Sequence, residues 1–282
     1  MKCAWQAFIN LLPMWMRELA DIHGREDLQE LRMRLNAPPE LIKHKKSVFL
    51  ERLVSMEDLT FVVNLATRYS PWSAVTLARG FITTPGGHRL GICGEAVIKN
   101  GEMTGYRNIT SLNIRVARDF PGIASNAIKK NSSVLILGRP GSGKTTLLRD
   151  YIRCLSNDDG GAIAVIDERQ EIFPQVHNQY AFPVGRHTDV LSGCDKPRGI
   201  EIALRNLGPE IIAVDEITAA EDCMALIHAG WCGVRLIATA HAGSAHDLYS
   251  RPVYKPLVES GLFDTLLVMQ KDKTWSVERI CQ

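Results

Sequence analysis

A strand–loop–helix pattern in the middle of the chain restricts the fold to a small group of α/β architectures. Residues 132–148 read Ser-Ser-Val-Leu-Ile-Leu-Gly-Arg-Pro-Gly-Ser-Gly-Lys-Thr-Thr-Leu-Leu, and residues 138–145 match G-x-x-x-x-G-K-[ST] at every fixed position. An apolar run of strand length precedes the match, and a helix-prone run over residues 144–155 follows it. This order is the structural context in which the pattern binds phosphate. The sequence therefore predicts a nucleoside triphosphate site here.

The residue types of this loop explain how it would bind phosphate. Glycines permit backbone conformations that a side chain forbids, so successive N–H groups can point at one phosphate. The start of the helix adds unpaired N–H groups and the positive end of its dipole. Lys144 is expected to reach the β- and γ-phosphates, and the Thr145 hydroxyl to bind Mg²⁺. The predicted nucleotide-binding residues are Gly138, Arg139, Pro140, Gly141, Ser142, Gly143, Lys144, Thr145 and Thr146.

The second half of the chain alternates strand-like and helix-like runs, which predicts a parallel sheet covered by helices. The predicted strands span residues 134–137, 162–166, 211–214, 234–238 and 265–269. Ligands of such sheets lie beyond the carboxyl ends of the strands. Asp215 and Glu216 directly follow the third strand. We predict that Asp215 holds Mg²⁺ and that Glu216 orients or deprotonates the attacking water.

Two other strand ends carry candidate side chains. Glu168 and Glu171 follow the second strand, where carboxylates suit water activation; the structural alternative is an acidic turn that begins a helix. Thr239 and His241 follow the fourth strand, where they could sense the γ-phosphate through hydrogen bonds. A structural role is the alternative for His241. The sequence leaves these alternatives open.

The first part of the chain predicts a smaller α+β domain. Ser55 and Asp58 have the spacing of a capping box, and the helix that they begin should end before Ser70-Pro71. Asn100-Gly101 between alternating runs predicts a β-hairpin. Turn-forming and polar residues over 120–130 mark a connection. We therefore predict an N-terminal domain over residues 1–125 and a phosphate-binding domain over residues 126–282.

Composition narrows the class of protein. The 282 residues carry a net charge of only +2, although residues 1–119 hold 16 Lys and Arg against 12 Asp and Glu. A nucleic-acid-binding protein usually shows a stronger basic surface, so nucleic acid is not the expected partner. The seven cysteines show no C-x-x-C spacing, which indicates a reducing, cytoplasmic compartment. No run of 18 apolar residues occurs, so no membrane span is predicted.

Several longer motifs resemble the stage III sporulation protein AA family, ATPases of endospore-forming bacteria related to the secretion and pilus-motor ATPases. The resemblance runs from about residue 28 to residue 270. The motifs that carry it span residues 86–94, 113–118, 138–150, 167–171, 188–194, 209–217 and 238–241. Residues 218–220 are less charged than the resemblance leads one to expect.

The resemblance implies a role for each motif. Residues 138–145 correspond to the phosphate loop, residues 167–171 to an acidic box, residues 215–216 to a Walker B box and residues 239–241 to a His box. By this correspondence Glu171 is the general base and Glu216 the Walker B glutamate. A hexameric ring is also implied, with Arg115 and Arg118 as candidates to reach the ATP of a neighbouring subunit. The implied partners are membrane proteins of the same sporulation complex, a channel between mother cell and forespore.

These observations together predict an α/β fold, a RecA-like P-loop NTPase core with a smaller N-terminal α+β domain. The predicted function is Mg²⁺-dependent ATP hydrolysis, with Lys144, Glu168, Glu171, Glu216 and His241 as candidate catalytic residues. Two other classes stay open at this point, a RecA-type nucleic-acid motor and an ATP-binding scaffold with little turnover. DNA-stimulated hydrolysis would favour the first class, and nucleotide binding without turnover would favour the second.

Overall fold

The computed structural model describes residues 1–44, 46–68, 80–158, 161–176, 178–270 and 272–279. The chain forms two compact units. The first comprises Met1–Asp119 and Pro174–Phe182, and the second comprises Phe120–Phe173 and Pro183–Gln282. The functional division at residue 125 stays a prediction. A segment from the second half of the chain thus groups with the first unit, which the sequence alone did not indicate.

Within its described residues, the first unit is an antiparallel sheet with three helices. Its sheet has the order β3-β2-β1-β6-β5-β4. The strands are β1 (Leu28–Arg34), β2 (Glu40–Lys43), β3 (Ser47–Phe49), β4 (Phe81–Thr83), β5 (Arg89–Lys99) and β6 (Glu102–Arg115). The helices are α1 (Trp5–Leu11), α2 (Met14–Gly24) and α3 (Met56–Arg68). The segment 174–182 adds a small hairpin of β9 (Gln175–Val176) and β10 (Gln179–Tyr180). The predicted α+β class is confirmed.

Local sequence signals shape this unit as expected. The hairpin between β5 and β6 turns at Asn100 and Gly101, whose φ angles of 52° and 80° suit a two-residue turn. At the start of α3, the Ser55 N–H donates to the Asp58 carboxylate and the Asp58 N–H donates to the Ser55 hydroxyl. This reciprocal pair is the predicted capping box. Ser70-Pro71 lies outside the described residues.

The second unit is built on a seven-stranded sheet of order β11-β8-β12-β13-β7-β14-β15. Its strands are β7 (Val134–Leu137), β8 (Ile163–Asp167), β11 (Thr188–Ser192), β12 (Ile211–Ile217), β13 (Arg235–Ala240), β14 (Thr265–Met269) and β15 (Trp275–Arg279). All neighbouring strands are parallel except β14 and β15. All five predicted strands form, and β12 extends beyond its predicted end at residue 214.

The strand order determines which strands end next to one another at the carboxyl edge of this sheet. β7, β8 and β14 are buried along their whole length, as in parallel sheets with both faces covered. The helices of the unit are α4 (Lys144–Asn157), α5 (Lys196–Asn206), α6 (Ala220–Trp231), α7 (Ala245–Ser250) and α8 (Lys255–Glu259). β7 lies between β13 and β14, and β12 and β8 follow beyond β13. The carboxyl ends of β7, β13, β12 and β8 therefore lie side by side.

Candidate nucleotide site

The loop between β7 and α4 depends on glycine for two different reasons. Gly141 and Gly143 have φ angles of 74° and 101°, where other residues are strained. Gly138 has no such angle. A Cβ atom at Gly138 would lie 2.4 Å from the Ser142 hydroxyl oxygen and 2.9 Å from the Met269 Cβ atom. Gly141 and Gly143 therefore adopt the backbone conformation that favours glycine, as predicted. Gly138 does not, and glycine is needed there because a side chain would collide with its neighbours.

The donors of this loop fit a phosphate group. The first N–H groups of α4, including those of Lys144 and Thr145, have no acceptor one turn earlier because a helix begins there. The Ser142 hydroxyl is buried, and no hydrogen-bond partner for it exists among the described residues. The Lys144 side chain is largely buried, and its Nζ atom donates to the Arg139 carbonyl at 3.3 Å. Burial lowers the pKa of Lys144, although the charges of Asp215 and Glu216 oppose this shift.

Asp215 is held by two hydroxyl groups. The Thr145 hydroxyl donates to Oδ2 at 2.7 Å, and the Thr239 hydroxyl donates to Oδ1 at 2.5 Å. Two oxygen ligands in adjacent positions of an octahedral Mg²⁺ site lie about 3 Å apart. The oxygen atoms of Thr145 and Asp215 have this separation and the chemistry that Mg²⁺ prefers. The pair predicted to hold the metal therefore fits it.

A β-bulge at the end of β12 sets the direction of the next side chain. Val214 pairs with Ala238 and Ile217 pairs with Ala240, so residues 215 and 216 together oppose Thr239 alone. Glu216 has a φ of 54°, a conformation that costs a non-glycine residue about 1–2 kcal/mol. Its N–H donates to the Thr239 hydroxyl oxygen at 2.8 Å. Such strained residues cluster at functional sites.

His241 lies between the lysine and the glutamate. Lys144 Nζ is 3.1 Å from His241 Nδ1, and His241 Nε2 is 2.7 Å from Glu216 Oε1. Arg169 Nη1 lies 3.4 Å from the other carboxylate oxygen of Glu216. Partial burial acts to raise the pKa of Glu216, but the His241 hydrogen bond and nearby positive charges outweigh it. The pKa of Glu216 is therefore lowered.

Asp167 organises the acidic loop that follows β8. Its carboxylate accepts the N–H groups of Glu171, Ile172 and Phe173. Burial raises the pKa of Asp167 to about 6, and the N–H groups of Phe173 and Ile172 oppose that shift. From α4, Arg149 donates to the carbonyl groups of Glu171 and Ile172. The helix after the phosphate loop therefore also anchors the acidic loop.

The acidic loop and the end of β12 line one cleft. Its lining residues are Ile166, Asp167, Glu168, Arg169, Glu171, Lys196, Asp215, Glu216 and Thr218. The candidates Glu168, Glu171, Asp215 and Glu216 thus share one cavity, and hydrogen bonds connect Asp215 and Glu216 to the phosphate loop. Sequence reasoning missed Lys196, whose Nζ lies 2.8 Å from Glu168. The only local feature of Lys196 in the sequence is its position before Pro197, where a helix begins.

The arginines proposed to act across subunits have different surroundings. Arg118 donates to the Arg25 carbonyl at 3.0 Å and lies over the Trp5 ring, so it stabilises the first unit. The Arg115 side chain is 66% exposed and lies 3.8 Å from Glu30. Both roles stay predictions.

Comparison with known proteins places the chain in a family of sporulation proteins. The family model described as "Sporulation stage III, protein AA" matches residues 6–280. Stage III sporulation protein AA of Bacillus subtilis (strain 168) is 37% identical over 277 residues, covering 94% of this chain and 90% of that protein. These matches confirm the resemblance predicted from the motifs. In the described parts of the chain, no helix combines the length and apolarity that crossing a bilayer requires.

Two solved structures share the fold. The X-ray structure of the Legionella pneumophila ATPase DotB matches with a TM-score of 0.60 at 18% identity, covering 95% of this chain and 80% of that one. The crystal structure of the pilus retraction motor PilT with bound ADP also matches with a TM-score of 0.60, at 15% identity, covering 92% and 80%. At these identities the likeness concerns the fold. It confirms the predicted α/β core with an N-terminal α+β domain.

Proposed function

The chain belongs to the sporulation stage III protein AA family, and from this we propose that it hydrolyses ATP to ADP and phosphate. One observation supports the proposal above the others, the hydrogen-bonded chain from Lys144 through His241 to Glu216. It joins the phosphate loop to the carboxylate that follows β12. ATP-binding motifs alone would not require such a link, whereas hydrolysis requires a phosphate-binding cation and a water-binding carboxylate at one place.

The proposed reaction is attack of water on the γ-phosphorus. The water oxygen forms the new bond to phosphorus, the bond to the bridging oxygen of ADP breaks, and a carboxylate takes the proton of the water. Lys144 and the N–H groups of the phosphate loop stabilise the negative charge on the phosphate oxygens. They are preorganised because α4 and the buried Lys144 stem already hold them.

The lowered pKa of Glu216 disfavours it as the general base, and the resemblance to an acidic box favours Glu171. Both oxygens of Glu216 face donors, His241 at 2.7 Å and Arg169 at 3.4 Å, and its pKa is lowered. A carboxylate with a lowered pKa is a weaker base. Glu171 lines the same cleft. We therefore assign proton transfer to Glu171 and orientation of the water to Glu216.

Mg²⁺ is the proposed cofactor. When bound, it would neutralise charge on the phosphate oxygens. Thr145 and Asp215 are the residues that would hold it, and Thr239 fixes the Asp215 carboxylate for that purpose. Both hydroxyl groups that orient the Asp215 carboxylate are supplied by the chain itself.

The proposed assembly, location and partners of the protein are supported by its family and by the resemblance of its motifs. We propose a ring, with six subunits as the expected number, on the cytoplasmic mother-cell side of a membrane. Its partners would be membrane proteins of the sporulation complex that connects mother cell and forespore. Arg115 is the better candidate to reach a neighbouring nucleotide, since the carbonyl groups of the first unit already engage Arg118.

The test is ATP turnover by purified protein, with and without Mg²⁺, beside a Lys144→Ala variant and a Lys130→Ala control. Lys130 is exposed and pairs with Asp158 away from the phosphate loop. We expect Mg²⁺-dependent turnover that falls about 100-fold or more in Lys144→Ala, and only there. Light scattering with and without nucleotide reports ring formation. Equal turnover in wild type and Lys144→Ala would contradict the proposal, and stimulation by DNA would favour a nucleic-acid motor.

A further inference from the structure

Lys196 is a buried cation that the phosphate-loop motifs do not include. It occupies the first position of α5 and is 6% exposed. Its Nζ atom lies 2.8 Å from Glu168 Oε2 and 3.7 Å from Asp222 Oδ2. Lysine is seldom buried unless it is paired, because removing its charge from water is costly. The two carboxylates therefore account for its position.

Each partner of Lys196 controls a different segment of the cleft. Glu168 directly follows Asp167, at the end of β8 where the acidic loop begins. Asp222 is 6% exposed, and its Oδ2 atom accepts the N–H groups of Thr218 and Ala219 at 3.0 and 3.2 Å. Those hydrogen bonds shape the turn that leads from β12 into α6. One ammonium group thus joins the acidic loop to the turn that follows Glu216.

The charges in the cleft make this connection necessary. Five of the nine residues that line it carry carboxylates, which are Asp167, Glu168, Glu171, Asp215 and Glu216. Like charges at short range repel most strongly where water is partly excluded. Arg169 compensates the Glu216 side, and Lys196 compensates the Glu168 side. Arg149 anchors the acidic loop at Glu171 and Ile172, so loss of Lys196 would leave repulsion uncompensated at the start of the loop, beside Glu168.

We propose that Lys196 is a positioning residue for hydrolysis, fixing the acidic loop relative to the Glu216 turn through its ion pairs with Glu168 and Asp222. This inference rests on the proposed ATPase function. Within the described residues, the Lys196 ammonium group forms no hydrogen bond or ion pair with the phosphate loop. Its removal should therefore affect the chemical step and leave nucleotide binding almost unchanged.

The experiment compares Lys196→Met and Lys196→Arg with a matched control, Lys255→Met. Lys255 also faces a glutamate, Glu259 at 3.8 Å, but its side chain is 70% exposed on α8. In Lys196→Met we expect kcat to fall about 10- to 100-fold, as when a residue that orients a catalytic group is lost. KM for ATP and Kd for ADP should stay within about threefold of wild type. Lys196→Arg should recover part of kcat, and Lys255→Met should resemble wild type.

A double-mutant cycle separates positioning from a general loss of structure. If Lys196 acts through Glu168, then Lys196→Met should cost far less kcat in a Glu168→Gln background than in wild type. Additive effects would overturn the proposal. A kcat for Lys196→Met within threefold of wild type would also overturn it. So would a loss of ADP binding that equals the loss of kcat.

Amide hydrogen exchange keeps the inference distinct from the proposed function. Exchange over residues 167–173 and 218–222 should be faster in Lys196→Met than in wild type and Lys255→Met. A wild-type protein without ATP turnover would contradict the proposed function. The exchange rates would then still show whether Lys196 holds the two segments in place. Unchanged exchange in both segments would overturn the inference whether or not the protein hydrolyses ATP.

Discussion

The Nζ atom of Lys144 lies 3.1 Å from the Nδ1 atom of His241. An ammonium group only donates hydrogen bonds, so Nδ1 must accept, and the neutral imidazole then carries its proton on Nε2. Nε2–H accordingly donates to Glu216 at 2.7 Å. A neutral histidine thus links Lys144 with the carboxylate that follows β12, and it determines the direction of both hydrogen bonds.

This link predicts the pH dependence of a His241→Ala variant. The hydrogen bond from His241 contributes to the lowered pKa of Glu216, while partial burial acts in the opposite direction. Loss of the imidazole should therefore raise the pKa of Glu216. The acid limb of kcat/KM should therefore move to higher pH in the variant. A profile of wild type and variant between pH 5 and 8 checks this, and an unshifted acid limb would contradict it.

The assignment of roles to two glutamates predicts different losses on amidation. Glu171→Gln removes the proposed proton acceptor and should lower kcat by about 10²- to 10⁴-fold. Glu216→Gln keeps a side chain that can orient water, so its loss should be smaller. Single-turnover hydrolysis measures both, with ADP affinity as the control because neither side chain belongs to the phosphate loop. A larger loss in Glu216→Gln would reverse the assignment.

Thr239 predicts a combined effect on stability and metal dependence. Its hydroxyl donates to Asp215 and accepts the Glu216 N–H, and its side chain is fully buried. Thr239→Val leaves that N–H without an acceptor, so the free energy of unfolding should fall by about 1–3 kcal/mol. The Mg²⁺ concentration for half-maximal turnover should rise because Asp215 loses one of its two donors. Urea unfolding and Mg²⁺ titration test this, and Thr239→Ser should resemble wild type.

His88 predicts acid sensitivity of the first unit. Its ring is buried, Nδ1 accepts the Ala117 N–H at 3.1 Å and Nε2 lies 3.0 Å from the Ala4 carbonyl oxygen. Burial lowers the pKa of His88 to about 4 from 6.5, although the Ala4 hydrogen bond opposes the shift. A depressed pKa in the folded state means that stability is full above pH 6.5 and declines as pH falls toward 4.

The size of this decline can be measured against a variant. The wild type should lose about 2–3 kcal/mol of unfolding free energy between pH 7 and pH 4.5 from this group. His88→Gln should lose less over the same interval, since glutamine does not titrate. Asp167, with its pKa raised to about 6, changes stability in the opposite direction and is common to both proteins. Equal pH dependence in His88→Gln and wild type would contradict the prediction. The control is His23→Gln, because His23 is exposed.

Local signals in the sequence were sufficient to predict many of the structural elements of this protein. The phosphate loop, the five strands of the second unit, the capping box at Ser55 and the Asn100-Gly101 turn all depend on residues close together in the chain. Apolar periodicity, glycine at positive φ and side-chain capping act within a few residues, so the sequence displays them directly. Lys144 and Thr145 were predicted from the phosphate-loop pattern, and Asp215, Glu216 and His241 from their places after the ends of predicted strands.

Tertiary structure decided how those residues face one another. The bulge that turns Glu216 toward His241 depends on the register of β12 against β13, and register is a property of paired strands. The burial of Lys196, the anchoring of the acidic loop by Arg149 and the engagement of Arg118 join residues far apart in sequence. Packing and charge compensation act through space. The sequence alone therefore determined which elements form, and the folded chain determined which side chains meet in the cleft.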